Sequence, residues 1–363
     1  MNAGLVLVAL AATCGINLQA TLDQIRVAQE VPGVSAVVTR EEEVIFAGAS
    51  GVADLETGRK MTPDTVLYAG SLTKILTAVL TLQLVEKGEL SLDDVIPGIA
   101  IAIESSKQDV NIQVAHLLTH VSGLEREGNF DYWFHADFPD EAALANNLAT
   151  TDLQSAPGDS VSYSNIGYAA LGPVIARASG QSYDDALLDD VFKPLGMDSS
   201  GTEAPGDQLS AGYSPVNRVI PNEERPFAGL GRHVGTRRIR EYHNAKAMTP
   251  AFGAYTSSTD LSRLARMLLG YGGDRLLSAD MRSRLLTAEV GVRGLGIRLG
   301  RYKGRPVARH GGWFAAHRTH LLLDFRSGIA VAVMANSDSA SPEDIAEALL
   351  DHALCGASDG TDD

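Results

Sequence analysis

Cysteine is almost absent from this 363-residue chain: Cys14 and Cys355 stand near the two ends. One pair so placed can build neither a disulfide scaffold nor a cysteine-based zinc module. Basic residues are also scarce, 30 against 45 acidic ones, for a net charge of −15. That sign argues against a nucleic-acid partner, because binding there comes from neutralising phosphates. Long apolar runs are missing too. The nearest candidate, Val95 to Ile103, is interrupted by Pro97 and Gly98, well short of the ~18 residues a membrane span needs. Neither G-x-S-x-G nor G-x-x-x-x-G-K-[ST] occurs, which argues against an α/β-hydrolase elbow and a P-loop. His116 and His120 are four apart, yet no H-E-x-x-H or acidic ligand accompanies them, so a structural role is favoured over a metal. No metal or organic cofactor is implied.

What is present is enough apolar residue, 45% of the chain, to bury a substantial core in one large domain or two intertwined lobes. Leu5 to Ala12 is an apolar run that reads as an export signal covering residues 1–20, although no Lys or Arg precedes it. Export, to a periplasmic or extracellular location, is the expectation, with a cytoplasmic location as the alternative. A lipid anchor at Cys14 is a poorer match, since Thr13 precedes the cysteine. The Asp-rich end, 355–363, is expected to be disordered.

Between these ends the pattern predicts a helix over Leu22–Glu30, then an antiparallel hairpin of Gly33–Arg40 and Glu43–Ala49. Leu72, Ile75, Leu76, Val79, Leu80 and Leu84 recur at helical spacing from Ser71 to Lys87, and Gly88 stops the pattern. Helices and loops alternate to about Gly270. Strands are predicted at Gly294–Leu299, Arg305–His310, His317–Asp324 and Gly328–Asn336, and Pro342 opens a last helix. The expected fold is therefore α/β of the α+β type, a single domain over 21–354. An antiparallel sheet flanked by helices comes from about 21–65 and 285–354, and a helical lobe of about 66–284 is inserted into it.

Three short elements carry chemistry. Ser71-Leu72-Thr73-Lys74 puts a hydroxyl on the first turn of a helix and an amine three residues on, on the same face. A serine is a weak nucleophile until a neighbouring base takes its proton, and a lysine helps only if its pKa is lowered. The helix N-terminus favours a developing oxyanion. With 27 serines and 7 lysines in the chain, chance supplies about 0.5 such spacings, so a helix cap followed by a surface lysine is the competing reading. Tyr163-Ser164-Asn165 offers a phenol that a lysine can turn into a base and an amide that can orient lysine and substrate. Tyr242-His243-Asn244 has the same spacing, and spacing alone does not choose between them. His310-Gly311-Gly312 follows a strand and precedes Trp313. Glycines there let a substrate lie along the strand edge, where one N–H completes an oxyanion hole. His233-Val234-Gly235 shows how easily that spacing arises.

In this order the three elements resemble the penicillin-recognising serine hydrolases, in particular the group of class C β-lactamases, D-alanyl-D-alanine carboxypeptidases and related esterases. The resemblance covers about residues 20 to 352. It extends to Val31-Pro32-Gly33-Val34-Ser35, His116-Leu117-Leu118-Thr119-His120-Val121-Ser122-Gly123-Leu124, Phe192-Lys193-Pro194-Leu195-Gly196-Met197 and Tyr255-Thr256-Ser257-Ser258-Thr259-Asp260-Leu261. It implies Ser71 as nucleophile, Lys74 as its partner, Tyr163 as base and Asn165 as a substrate-orienting amide. His310, Gly311 and Gly312 then flank the substrate, with the N–H groups of Ser71 and Trp313 as oxyanion hole.

Two departures stand out. His310 occupies the place where such β-lactamases carry a lysine, and an imidazole holds a substrate carboxylate less firmly than an ammonium. Ala315-Ala316-His317-Arg318 replaces a Gly-Phe pair, altering the pocket rim. Arg218, Arg225, Arg232, Arg237, Arg238 and Arg240 form either a solvated face or a cationic wall for a carboxylate-bearing substrate. The expected activity is acyl-enzyme hydrolysis of a small ester, amide or short peptide, with D-Ala-D-Ala peptidase or β-lactamase as alternatives. A catalytically silent binding module of the same fold is the alternative of another class.

Overall fold

The computed structural model describes residues 17–96, 111–135, 137–203, 205–215, 230–233, 236–239, 244–272 and 276–355. Its frame is a six-stranded antiparallel sheet. Strands β1 (Gly33–Arg40) and β2 (Glu43–Gly51) come from the start of the chain, and β3 (Arg298–Tyr302), β4 (Arg305–Phe314), β5 (His317–Asp324) and β6 (Ile329–Ala335) from its end. The spatial order is β2-β1-β6-β5-β4-β3. β1 pairs with β6, Val34 opposite Ala335 and Arg40 opposite Ile329, which closes the two ends of the chain into one sheet.

β6 is buried along its whole length, and its period-2 alternation divides it between two cores. Val331, Val333 and Ala335 face helices α1 (Leu18–Ala28) and α5 (Pro342–Cys355), with Leu22, Ile25, Ile345, Leu349 and Leu350. Ala330, Ala332 and Met334 face the main core, which holds Leu261, Leu264 and Leu268 of α4 (Ser258–Leu268). A strand covered on both faces reads as a continuous apolar run for this reason.

Helix α2 (Thr73–Glu86) is buried from Thr73 to Leu84 on every side, as a helix inside a lobe must be. Its buried threonines find carbonyl partners. The Thr77 hydroxyl donates to the Pro250 carbonyl at 2.7 Å and that of Thr81 to Thr77 O at 2.8 Å.

Two expectations shift. The strand predicted at Gly294–Leu299 begins only at Arg298 and runs to Tyr302. Gly296 has φ +81°, and a Cβ there would stand 2.7 Å from the Ala78 Cβ and 3.0 Å from the Lys74 carbonyl, so the segment is a close-packed turn against α2. β4 continues through Phe314, so His310-Gly311-Gly312-Trp313 lies within the strand rather than after it.

Candidate active site

Ser71 sits in a single 3₁₀ turn, Gly70–Leu72, that leads into α2. Two glycines let this turn press against β4. Gly70 has φ +55°, and a Cβ on it would stand 2.5 Å from Trp313 N. A Cβ on Gly312 would stand 2.1 Å from Ala69 O and 3.1 Å from Ser71 N. The N–H groups of Ser71 and Trp313 thereby flank one small space, the arrangement an oxyanion needs. Hydroxyls lock the turn: Thr319 Oγ1 donates to Ala69 O at 2.8 Å and Thr73 Oγ1 to Gly70 O at 2.7 Å.

The Ser71 hydroxyl has Tyr163 as its partner, not Lys74: Tyr163 OH donates to Ser71 Oγ at 2.8 Å. Lys74 lies behind, with no exposed surface. Its Nζ donates to Asn165 Oδ1 at 2.8 Å and to the Ala251 carbonyl at 2.7 Å. It also lies 4.8 Å from the Tyr163 ring centroid and 5.3 Å from that of Tyr168. Burial holds the Lys74 amine below the usual lysine range, and Tyr163 and Glu127 oppose that shift.

Tyr163 and Asn165 are placed by a capped helix. Ser164 caps α3 (Asn165–Ala169), its hydroxyl oxygen accepting from Gly167 N at 2.9 Å and its own O–H reaching the Glu125 carbonyl at 2.8 Å. His120 matters here. Its ring stacks on Tyr163 at 4.3 Å and its Nδ1 accepts the Ser164 N–H at 3.1 Å, while burial keeps its pKa well below the histidine norm. It is a neutral platform for the phenol. The rival triplet at Tyr242 lies outside the described residues apart from Asn244, and so do Val234 and Gly235.

His310 Nδ1 bonds the Gly311 carbonyl at 2.7 Å. A carbonyl only accepts, so the proton sits on Nδ1 and Nε2 is left as an acceptor. Burial, together with the positive charges of Lys74 and Arg293, pushes its pKa down to about 4. The ring is therefore neutral across the range around pH 7. Trp313 is half-buried, donating from Nε1 to Asp338 Oδ1 at 2.6 Å and packing on Trp133 with ring centroids 5.4 Å apart.

The cleft in front of Ser71 measures about 530 Å³ and is lined by Tyr163, His310, Gly311, Gly312 and Trp313. Arg126, Arg293, Arg298, Arg309 and Arg318 also reach it. Arg309 is paired with Glu343 at 2.6 Å and Glu347 at 3.1 Å. The arginine-rich stretch 218–240 does not supply these cations among the described side chains: Arg238 is spent on Asp54 and Glu56 at 3.2 and 2.9 Å, and the other five side chains lie outside them. The cleft arginines were missed because they are scattered singly over 126–318 and meet only in the fold.

Comparison with known proteins decides the family. The Beta-lactamase family model matches residues 18–355. The chain belongs to that family. Penicillin-binding protein 4 of Amycolatopsis lactamdurans is 31% identical over 344 residues, covering 89% of this chain and 85% of its own. Esterase EstB of Burkholderia gladioli is 34% identical over 276 residues, 70% of this chain and 69% of its own. The structure of D-amino acid amidase from Ochrobactrum anthropi SV3 superposes with a TM-score of 0.79 over 93% of this chain and 98% of that one, at 23% identity, which shows the shared fold. The protein is a serine hydrolase of this family. No helix among the described residues is long and apolar enough to cross a membrane.

Proposed function

We propose that this hydrolase works through an acyl-enzyme on Ser71, with Tyr163 as the base and Lys74 as the buried amine behind it. The supporting observation is the 2.8 Å hydrogen bond between Tyr163 OH and Ser71 Oγ, with a buried Lys74 Nζ 4.8 Å from the same ring. The phenolate takes the Ser71 proton as Oγ adds to the substrate carbonyl carbon. The resulting oxyanion is held by the N–H groups of Ser71 and Trp313. The tetrahedral species collapses, Tyr163 returns its proton to the leaving alcohol or amine, and water repeats the sequence on the ester. His310 is a neutral acceptor for a donor on the substrate, and Gly311 and Gly312 leave room for it along β4.

The substrate is a small ester, amide or peptide that carries negative charge. Five arginines, Arg126, Arg293, Arg298, Arg309 and Arg318, line the cleft against two acids, Glu343 and Asp344, in a protein whose net charge is −15, a local reversal of sign that favours anions. The same arginines favour a second reading, D-Ala-D-Ala peptidase or β-lactamase, since those substrates each end in a carboxylate. Comparing kcat/KM for a neutral p-nitrophenyl ester and its carboxylate-bearing analogue tests the charge. The charged ester is expected to be preferred, and the preference to shrink in high salt. Equal rates at all salt concentrations overturn it. A silent binding module is disfavoured by the assembled Ser71-Tyr163-Lys74 contacts, and any acyl-enzyme eliminates it. Export with removal of the first ~20 residues belongs to this proposal, supported by the apolar run Leu5–Ala12. N-terminal sequencing of the protein from its host tests it, and retention of Met1 or Asn2 reverses it.

A further inference from the structure

We propose that Glu127 is a positioning residue for acyl transfer: its carboxylate fixes the Asn165 amide so that the carbonyl oxygen of that amide faces the Lys74 amine. The inference rests on the roles given above to Ser71, Lys74 and Tyr163. An ammonium can only donate and a carboxylate can only accept. Asn165 stands between one of each, with Oδ1 2.8 Å from Lys74 Nζ and Nδ2 2.7 Å from Glu127 Oε1. Turning the amide over would set its NH₂ against the ammonium and its oxygen against the carboxylate, two repulsions in place of two bonds. The Tyr132 hydroxyl also meets the Asn165 side chain but can donate or accept, and a lysine alone could shift to another acceptor, so among the described contacts Glu127 is what makes one orientation compulsory.

Glu127 is itself held. Tyr132 OH donates to its Oε2 and Arg126 Nε to its Oε1 at 3.2 Å. The Arg126 side chain is 65% exposed and that of Glu127 15%, so this pair is a weak, solvent-screened one. Tyr132 is 1% exposed, and burial together with the neighbouring carboxylate drives its pKa upward, so it remains a neutral donor. The backbone is fastened too: Asn165 N donates to Arg126 O at 2.7 Å. Gly128 follows with φ +59°, where a Cβ would stand 2.2 Å from Asn147 Oδ1. The loop therefore returns Glu127 to the same place beside α3.

A second consequence is electrostatic. Among the described residues no carboxylate forms an ion pair with Lys74, so Glu127, one amide away, is the acid whose charge reaches it. The groups facing the Lys74 amine are Tyr163, Tyr168, Asn165 and the Ala251 carbonyl. Glu127 steadies the ammonium, while Arg126 and burial disfavour it. The nearby His120 and His310 are held neutral.

The test uses the full chain with two variants and a p-nitrophenyl ester that acylates Ser71. Glu127→Gln removes the charge and, because an amide both donates and accepts, no longer compels one orientation of Asn165. Its plateau kcat is expected to fall by about threefold to tenfold, less than in the leucine variant. The limb of the kcat–pH profile governed by Lys74 is expected to move to lower pH by about half a unit or more, the sign being the same whether the amine or the ammonium is the working form. Glu127→Leu removes the acceptor as well and is expected to lower kcat about tenfold or more with little change in KM. Unmoved pH limbs in Glu127→Gln overturn the inference, whether or not the leucine variant folds, and so does wild-type kcat in a folded Glu127→Leu. Absence of any acyl group on Ser71 in the wild-type protein overturns the mechanism beneath it instead, so the two failures are distinguishable.

Discussion

Replacing Gly312 by alanine tests whether the closeness of β4 to the nucleophile turn is what makes the oxyanion site. The new Cβ would stand 2.1 Å from Ala69 O, 2.2 Å from Thr319 Oγ1 and 3.1 Å from Ser71 N. Ordinary contact is about 3.5 Å, so strand and turn must part by roughly 1.4 Å, and the Thr319 to Ala69 hydrogen bond lies in the gap that opens. A displacement of about 1 Å at a reacting centre costs on the order of 10² in rate, about 2.7 kcal/mol of transition-state stabilisation. Gly312→Ala is thus expected to lose about 10² in kcat/KM for a p-nitrophenyl ester, and overpacking should destabilise the fold by about 1–3 kcal/mol. Gly300→Ala on the neighbouring strand β3 is the control. A Cβ there meets nothing within 4 Å, and its kcat/KM should stay within about threefold of wild type. Both are assayed alongside urea unfolding to fix the folded fraction. If the two variants show equal kcat/KM, or if lost folded protein accounts for the whole effect at Gly312, the reasoning fails.

Lys74→Ala and Tyr163→Phe should each lower kcat by about 10² or more, the scale for removing an acid–base group; a Tyr163→Phe enzyme at wild-type kcat would discard the phenol as base. Stability should fall as pH drops from about 6.5 toward 4, because buried His317 and His320, with pKa values pushed down to about 4 and about 3 by burial, stay neutral in the fold while the unfolded chain takes up protons near 6.5. Urea midpoints between pH 7 and 4.5 measure this, and His320→Gln should flatten part of the slope. Glu30 closes α1 at φ +55°, with Val31 N bonding Arg26 O and Glu30 N bonding Val27 O at 3.1 Å. Glu30→Gly should stabilise by about 0.5–1 kcal/mol in thermal melts.

Much of this was legible in the chain because the informative patterns are local. The apolar spacing from Leu72 to Leu84 marks α2, and the β-branched runs at both ends mark the sheet. Ser71, Tyr163 and Asn165 sit at a helix entrance or a capped helix start, where neighbours in sequence set the geometry. The stretch Gly294–Leu299 misled for a physical reason: Gly296 serves close approach to Lys74 and Ala78, and Gly294 to the Leu285 carbonyl, a tertiary requirement that looks like a strand in one dimension. Glu127, in Glu125-Arg126-Glu127, carries no local signal of its role, and only the fold places it against Asn165. His120 reads with His116 as structural rather than metal-binding, but its partner, Tyr163, on which it stacks, is 43 positions away in sequence. The pKa of His310 depends on Lys74 and Arg293, which no local pattern brings beside it.

The most direct test of the mechanism is the intact mass of the protein after brief exposure to a fluorophosphonate and to a slowly hydrolysed p-nitrophenyl ester, followed by peptide mapping. One acyl or phosphonyl group per chain is expected, on the peptide containing Ser71, and none on Ser71→Ala. A stoichiometric adduct on another residue, or unchanged ester turnover in Ser71→Ala, contradicts the assignment of Ser71 as the nucleophile.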